Sequence, residues 1–200
     1  MESIQDSVRF GEVIESSIEH LTGQCHSLYD SPALGSLVKI GDSIFGIIDG
    51  IYTGAIDPSR GVIARGHNVS NEEEIYQDHP QLDQLMRTTI SVIIIGFEEN
   101  AKINQYLPPL PPRIHSFIYR CTPDEIRKFI EHIDFLALLL RKNIPTIDDV
   151  VAATIKHALQ VSEDPSSFLL KATQSIACQL PSDLSRVGSI IKRLPMDDLL

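Results

Sequence analysis

The sequence predicts an α+β protein: a small closed antiparallel β-barrel of about six strands over residues 1–121, then a bundle of about four helices over residues 122–200. Three observations predict it. Short apolar runs punctuated by glycines fill residues 11–63. The run Pro108-Pro109-Leu110-Pro111-Pro112 precedes a last strand at 116–121. At Thr122 the apolar spacing changes from strand-like alternation to helical spacing.

Phe10-Gly11-Glu12-Val13-Ile14-Glu15, residues 20–28 and Ser36-Leu37-Val38-Lys39-Ile40 read as short strands. Gly41-Asp42-Ser43 has the chemistry of a tight turn, which makes a hairpin with residues 44–52. Gly46 and Gly50 inside that second strand predict bends or bulges, so the strand wraps a corner. Residues 53–60 form a loop, and 61–65 return briefly to strand. The acidic run Asn71-Glu72-Glu73-Glu74 opens an insertion in which Leu82, Leu85 and Met86 share one helical face. This predicts a short helix near 78–87 that caps one end of the barrel.

Residues 88–97 form the strongest strand. Val92-Ile93-Ile94-Ile95 and the following Gly96 are apolar on both faces, so one face packs inside the barrel and the other meets the helices that follow. Pro109, Pro111 and Pro112 donate no N–H and disfavour helix in the residue before them, which makes the proline run an extended crossing. Thr122, Pro123 and Glu125 then stand at the N-cap, N1 and N3 positions of a helix continuing through Ile126, Phe129, Ile130, Ile133, Ala137 and Leu140. Thr146 with Asp149, Asp164 with Pro165, and Ser182 after Pro181 predict three more helix starts. Short connections between them imply a packed bundle.

An apolar fraction of 42% is ordinary for a chain with a buried core. Residues 1–6 show neither a basic nor an apolar leader, and the longest wholly apolar run, 135–140, falls far short of the roughly 20 residues a membrane span needs. A cytoplasmic location is expected. The net charge is −10, divided as −8 over residues 1–120 and −2 over 121–200. With no basic stripe to neutralise phosphates, this balance argues against direct nucleic-acid binding. Arg186, Lys192 and Arg193 are expected on the solvated side of a last helix, near its negative end. Cys25, Cys121 and Cys178 are too far apart for a paired motif and are expected as reduced, half-buried thiols.

With strands, turn and proline run in place, residues 9–121 resemble the HAS barrel of HerA-type DNA-translocating ATPases and of the crown of rotary ATP synthase subunits. The matching segments are Phe10-Gly11-Glu12-Val13, Gly35-Ser36-Leu37-Val38-Lys39-Ile40, Ile44-Phe45-Gly46-Ile47-Ile48-Asp49-Gly50-Ile51, Val92-Ile93-Ile94-Ile95-Gly96 and the proline run. The resemblance implies a barrel used for subunit contacts. It departs from the family at Thr122, where helices replace the expected RecA-like ATPase core. A P-loop needs a Gly-Lys pair to hold the phosphates, and no Gly here is followed by Lys.

No catalytic, cofactor or metal residues are assigned. Gly41-Asp42-Ser43-Ile44 superficially matches the nucleophile block of GDSL-type esterases, but no His has an Asp three positions earlier, so a hairpin turn is the reading. The histidines at 20, 26, 67, 79, 115, 132 and 157 show no metal-ligand spacing. Glu72-Glu73-Glu74 with Asp78 lacks the alternation of a calcium loop and is expected to be a solvated loop. What remains is surface. The expected function is a non-enzymatic assembly or adaptor role, by self-association into a homo-oligomer or by docking to a protein partner such as an ATPase. The alternatives are an accessory factor in nucleic-acid processing and an enzyme of unrecognised type.

Overall fold

Among the described residues, seven strands form before residue 121: β1 (Arg9–Ser16), β2 (His20–Cys25), β3 (Leu37–Ile40), β4 (Ile44–Ala55), β5 (Met86–Glu99), β6 (Lys102–Asn104) and β7 (Phe117–Arg120). The computed structural model describes residues 7–59 and 61–195, so the reading of residues 1–6 lies outside the described residues. Every pairing is antiparallel. The strand order is β2-β1-β7-β3-β4-β5-β6, and β2 also pairs with β5, so the first strand of the order lies against its sixth.

Among the described residues the α-helices are α1 (Glu72–Asp78), α2 (Leu82–Leu85), α3 (Pro123–Ile130), α4 (Phe135–Leu140), α5 (Ile147–Val161), α6 (Pro165–Gln179) and α7 (Leu184–Ile191). The expectation of a closed six-stranded barrel with about four helices is therefore corrected. The strands make one seven-stranded antiparallel sheet, and the described helices number seven, five of them after residue 121.

Each departure has a local cause. The strand β6 is only three residues long and leaves no alternation to read. The helix expected near 78–87 becomes α1 and α2, because the Asn71 side chain caps α1 by accepting from the Glu74 N–H, while Met86 and Arg87 pair with Ala55 and Gly54 and belong to β5. Glu72, Glu73 and Glu74 thus occupy the first turn of a helix, where negative charge is favourable, and not a loop. Residues 61–65 form no strand, and Val62 and Ile63 instead lie exposed beside the β4–β5 arm.

The helix predicted from Thr122 onward starts as expected, with Thr122 and Glu125 in a reciprocal capping box and Pro123 in the first turn. It breaks after Ile130 because the Gln105 side chain satisfies the freed groups. Its Nε2 donates to Phe129 O at 2.7 Å and His132 O at 3.0 Å, and its Oε1 accepts from Phe135 N at 3.1 Å. The start of α6 carries Asp164 at the N-cap and Pro165 after it, whereas α7 is capped by Asp183 and not Ser182.

Two apolar cores share the sheet. Phe10, Val13, Leu21, Val38, Ile40, Ile48, Ile90, Val92, Ile94 and Ile118 pack together on one face. On the other, Leu37, Phe45, Ile47, Ile93 and Ile95 join α3 to α7 in a single cluster. The alternation along β5 decides which residue enters which core, and all four of Val92, Ile93, Ile94 and Ile95 are fully buried. Burial of that kind is worth about 2 kcal/mol per side chain.

A polar network fastens the sheet to α3. Lys39 on β3 lies 3.3 Å from Glu125 and 3.8 Å from Glu98, while Lys128 bonds Glu98 at 2.7 Å. At the far end of the bundle, Arg186 and Arg193 do not merely face solvent. Arg186 donates to Asp148 at 2.8 Å and Arg193 to Asp149 at 2.7 Å, which pins α7 to the first turn of α5.

Candidate functional site

The residues singled out in the sequence as turn and strand positions are spread around the sheet. Gly11 lies on β1, where a Cβ would stand 2.6 Å from Gln24 O. Gly41, at φ +57°, and Asp42 form the β3–β4 turn, which leads from the Ile40–Ile44 pair. Gly46 and Gly50 sit at the two irregularities of the β4–β5 ladder. Gly96 approaches Asn104 O, to 2.6 Å from its would-be Cβ. Pro109 and Pro111 are exposed and Pro112 is buried, its carbonyl accepting from Ser16 Oγ at 2.7 Å. None of these residues lines either cleft described below.

Three groups that sequence spacing did not unite meet on the sheet. Asp49 on β4 accepts from Ser91 Oγ at 2.6 Å, and His20 Nε2 lies 2.7 Å from the same Oγ. Acid, hydroxyl and imidazole thus come from β4, β5 and β2. Their order places the serine between the other two. A carboxylate only accepts, so Ser91 gives its proton to Asp49 and takes a hydrogen bond from His20. That arrangement clamps strands; a nucleophile served by a base needs the opposite polarity at the imidazole.

The long β4–β5 hairpin ends in an arm closed by the Ile56 N–H donating to Leu85 O at 2.9 Å. Beside it, Ile56, Val62, Ile63, Leu82 and Leu85 line a groove of about 310 Å³ with Asp57 and Arg65 among its polar members. Ile56, Val62, Ile63 and Leu85 are 46%, 62%, 74% and 48% exposed. In the sequence Val62 and Ile63 read as part of a strand, and that reading hides this surface.

A second cleft, of about 450 Å³, runs between residues 101–106 and Lys128, Glu131, His132 and Asp134. It is the larger and the more polar of the two.

The thiols differ from the uniform half-buried state expected: Cys25 is buried, Cys121 intermediate and Cys178 exposed. Burial pushes the Cys25 thiol up to about 11, with Asp30 adding to the rise, so it is poorly reactive at neutral pH. Burial likewise raises Cys121. Among the described residues, no three His, Cys, Asp or Glu side chains are placed to share a metal ion. No described helix is long and apolar enough to cross a membrane. In comparisons with known proteins, the chain matches no family model and no curated protein.

Proposed function

We propose that this chain is a non-enzymatic assembly or adaptor protein, acting by self-association or by docking on a protein partner such as an ATPase. The observation that carries the reading is the apolar groove at the tip of the β4–β5 arm, where four aliphatic side chains stay about half exposed or more. Contiguous apolar surface with a polar margin is characteristic of a protein interface. The resemblance of residues 9–121 to HAS barrels is what suggests an ATPase as partner, and the reading carries a cytoplasmic location with it.

Light scattering coupled to size exclusion, over a range of concentration and salt, tests the proposal. A defined oligomer, or a purified partner complex, that is lost in Ile63→Asp supports it. A strict monomer of about 22.3 kDa at high concentration that also retains no partner from extract overturns it.

A further inference from the structure

We propose that the outer edge of β4, along the β4–β5 arm, pairs with the same edge of a second copy of this chain in a two-fold dimer. The inference rests on the adaptor reading and names its partner. Among the described residues, β3 pairs with β4 only between Ile40–Ile44 and Leu37–Ile47. Ser36 O and the Gly35 N–H still bond Ile48, and the chain before them turns to α5, where His157 bonds the Leu34 carbonyl at 3.0 Å. From Gly50 to Ala55, β4 is therefore paired on its β5 side alone.

The Ile56 N–H donates to Leu85 O at 2.9 Å, so Ile56, Gly54 and Tyr52 face β5, while Ile51, Thr53 and Ala55 turn N–H and C=O outward. The strand β5 shows the same phase independently. Its Ile94 N–H donates to Glu19 O at 3.0 Å on the β2 side, so Ile90 and Thr88, the partners of Ile51 and Thr53, also face away from β4. Among the described residues, the outward groups of Ile51, Thr53 and Ala55 have no backbone partner outside the sheet ladders.

What selects a second copy is the run Gly50-Ile51-Tyr52-Thr53-Gly54-Ala55-Ile56. Antiparallel pairing centred on Thr53 exchanges two bonds at each of three pairs, Thr53 with its counterpart and Ile51 with Ala55 in both directions. Every large side chain then meets a small residue. Ile51, 46% exposed, lies across from Ala55, Tyr52, 68% exposed, from Gly54, and Ile56, 46% exposed, from Gly50. A foreign strand can match the main-chain bonds, but this exchange of large for small about one centre is a property the segment has toward itself. The run carries no charge, so two chains of −10 meet there without local repulsion. The nearest carboxylates, Asp49 and Asp57, lie outside it and accept from the Ser91 and Ser59 hydroxyls. The run also lacks the Lys or Pro that guards an open edge. Ala55 and Ile56 line the arm groove with Val62 and Ile63, which adds the apolar area that a few main-chain bonds lack. Pairing consumes the outer edge of both copies, so assembly stops at two.

The test follows sedimentation and amide exchange of the ¹⁵N-labelled full chain from about 20 μM to about 1 mM. As a dimer appears, the outward Thr53 amide should slow by at least about tenfold, while Gly54, already facing β5, stays unchanged. Thr53→Lys and Thr53→Glu should each stay monomeric where the wild type pairs, and their equimolar mixture should recover the dimer, because residue 53 meets its own counterpart in this register. The exchange measurement stands even if those variants fold poorly. A monomer at every concentration, or a dimer that leaves Thr53 exchange unaltered, would overturn the proposal. So would folded variants whose mixture stays monomeric. Thr53 protection that needs cell extract and not concentration would overturn it as well, assigning the edge to another protein. An Ile63-dependent complex in which Thr53 still exchanges freely would sink edge pairing and leave the adaptor reading standing.

Discussion

The Gln105 side-chain oxygen accepts the Phe135 N–H at 3.1 Å, while its amide nitrogen donates to Phe129 O and His132 O. One side chain thus ends α3 and starts α4. Gln105→Ala would leave three main-chain groups to find water at a part-buried helix junction, and should cost about 2 kcal/mol. Urea unfolding checks this. A change below about 0.5 kcal/mol would mean that solvent satisfies the break and the side chain is incidental.

Ala101 adopts a left-handed backbone at φ +61° in the two-residue β5–β6 loop, and it is exposed. An L-residue with a Cβ is strained there, whereas glycine is not. Ala101→Gly should stabilise the protein by about 1 kcal/mol, because relief of strain outweighs the extra freedom gained by the unfolded chain. Thermal unfolding that shifts upward supports the left-handed turn geometry, whereas an unchanged or lower midpoint would show that Ala101 carries no relievable strain.

The parts of the fold legible in sequence were those written in strong local chemistry. Thr122, Pro123 and Glu125 announced α3, and Val92 to Ile95 announced a strand buried on both faces. Legibility stopped where a distant residue decides the outcome. Nothing in the apolar spacing from Ile126 to Leu140 reveals a break, because its cause, Gln105, lies more than twenty residues away in sequence. The three-residue β6 was hidden for a different reason, since Asn100-Ala101 departs from the usual glycine signature of its turn. One missed signal was available: Asn71 followed by Glu74 is a helix-start pattern and would have located α1. The Asp49–Ser91–His20 clamp was not readable at all, because its three members sit on separate strands whose register sequence does not specify.

Gly35 lies where the chain entering β3 touches α5. Its φ is +79°, and a Cβ there would come within 2.6 Å of Ala153 Cβ and 2.7 Å of Thr154 N. Close by, His157 bonds the Leu34 carbonyl at 3.0 Å. Gly35→Ala should therefore add backbone strain to a clash with helix backbone, and cost about 3 kcal/mol. Following intrinsic tyrosine fluorescence and helical circular dichroism together would show both transitions moving to lower denaturant in step, as the shared core requires. A substitution tolerated within about 0.5 kcal/mol would show that α5 is not held at this point.

Glu125 is the group through which pH should act on the sheet–helix junction. Burial works against its charge, but the Thr122 N–H, the Ser7 hydroxyl and Lys39 together prevail and hold its carboxyl below the ordinary value of 4.5. A carboxylate depressed in the folded state contributes stability that is present above its unfolded pKa and is lost as pH falls through the folded one. Stability should accordingly decline as the solution is acidified below pH of about 4.5. Glu125→Gln keeps an acceptor for the Thr122 cap but removes the charge facing Lys39, so it should lower stability at neutral pH and flatten the acid limb of the curve. Urea midpoints measured from pH 7 down to pH 3 decide the matter. If the wild type and Glu125→Gln lose stability in parallel on acidification, the pH dependence belongs to other carboxylates and the Lys39–Glu125 contact does not govern it.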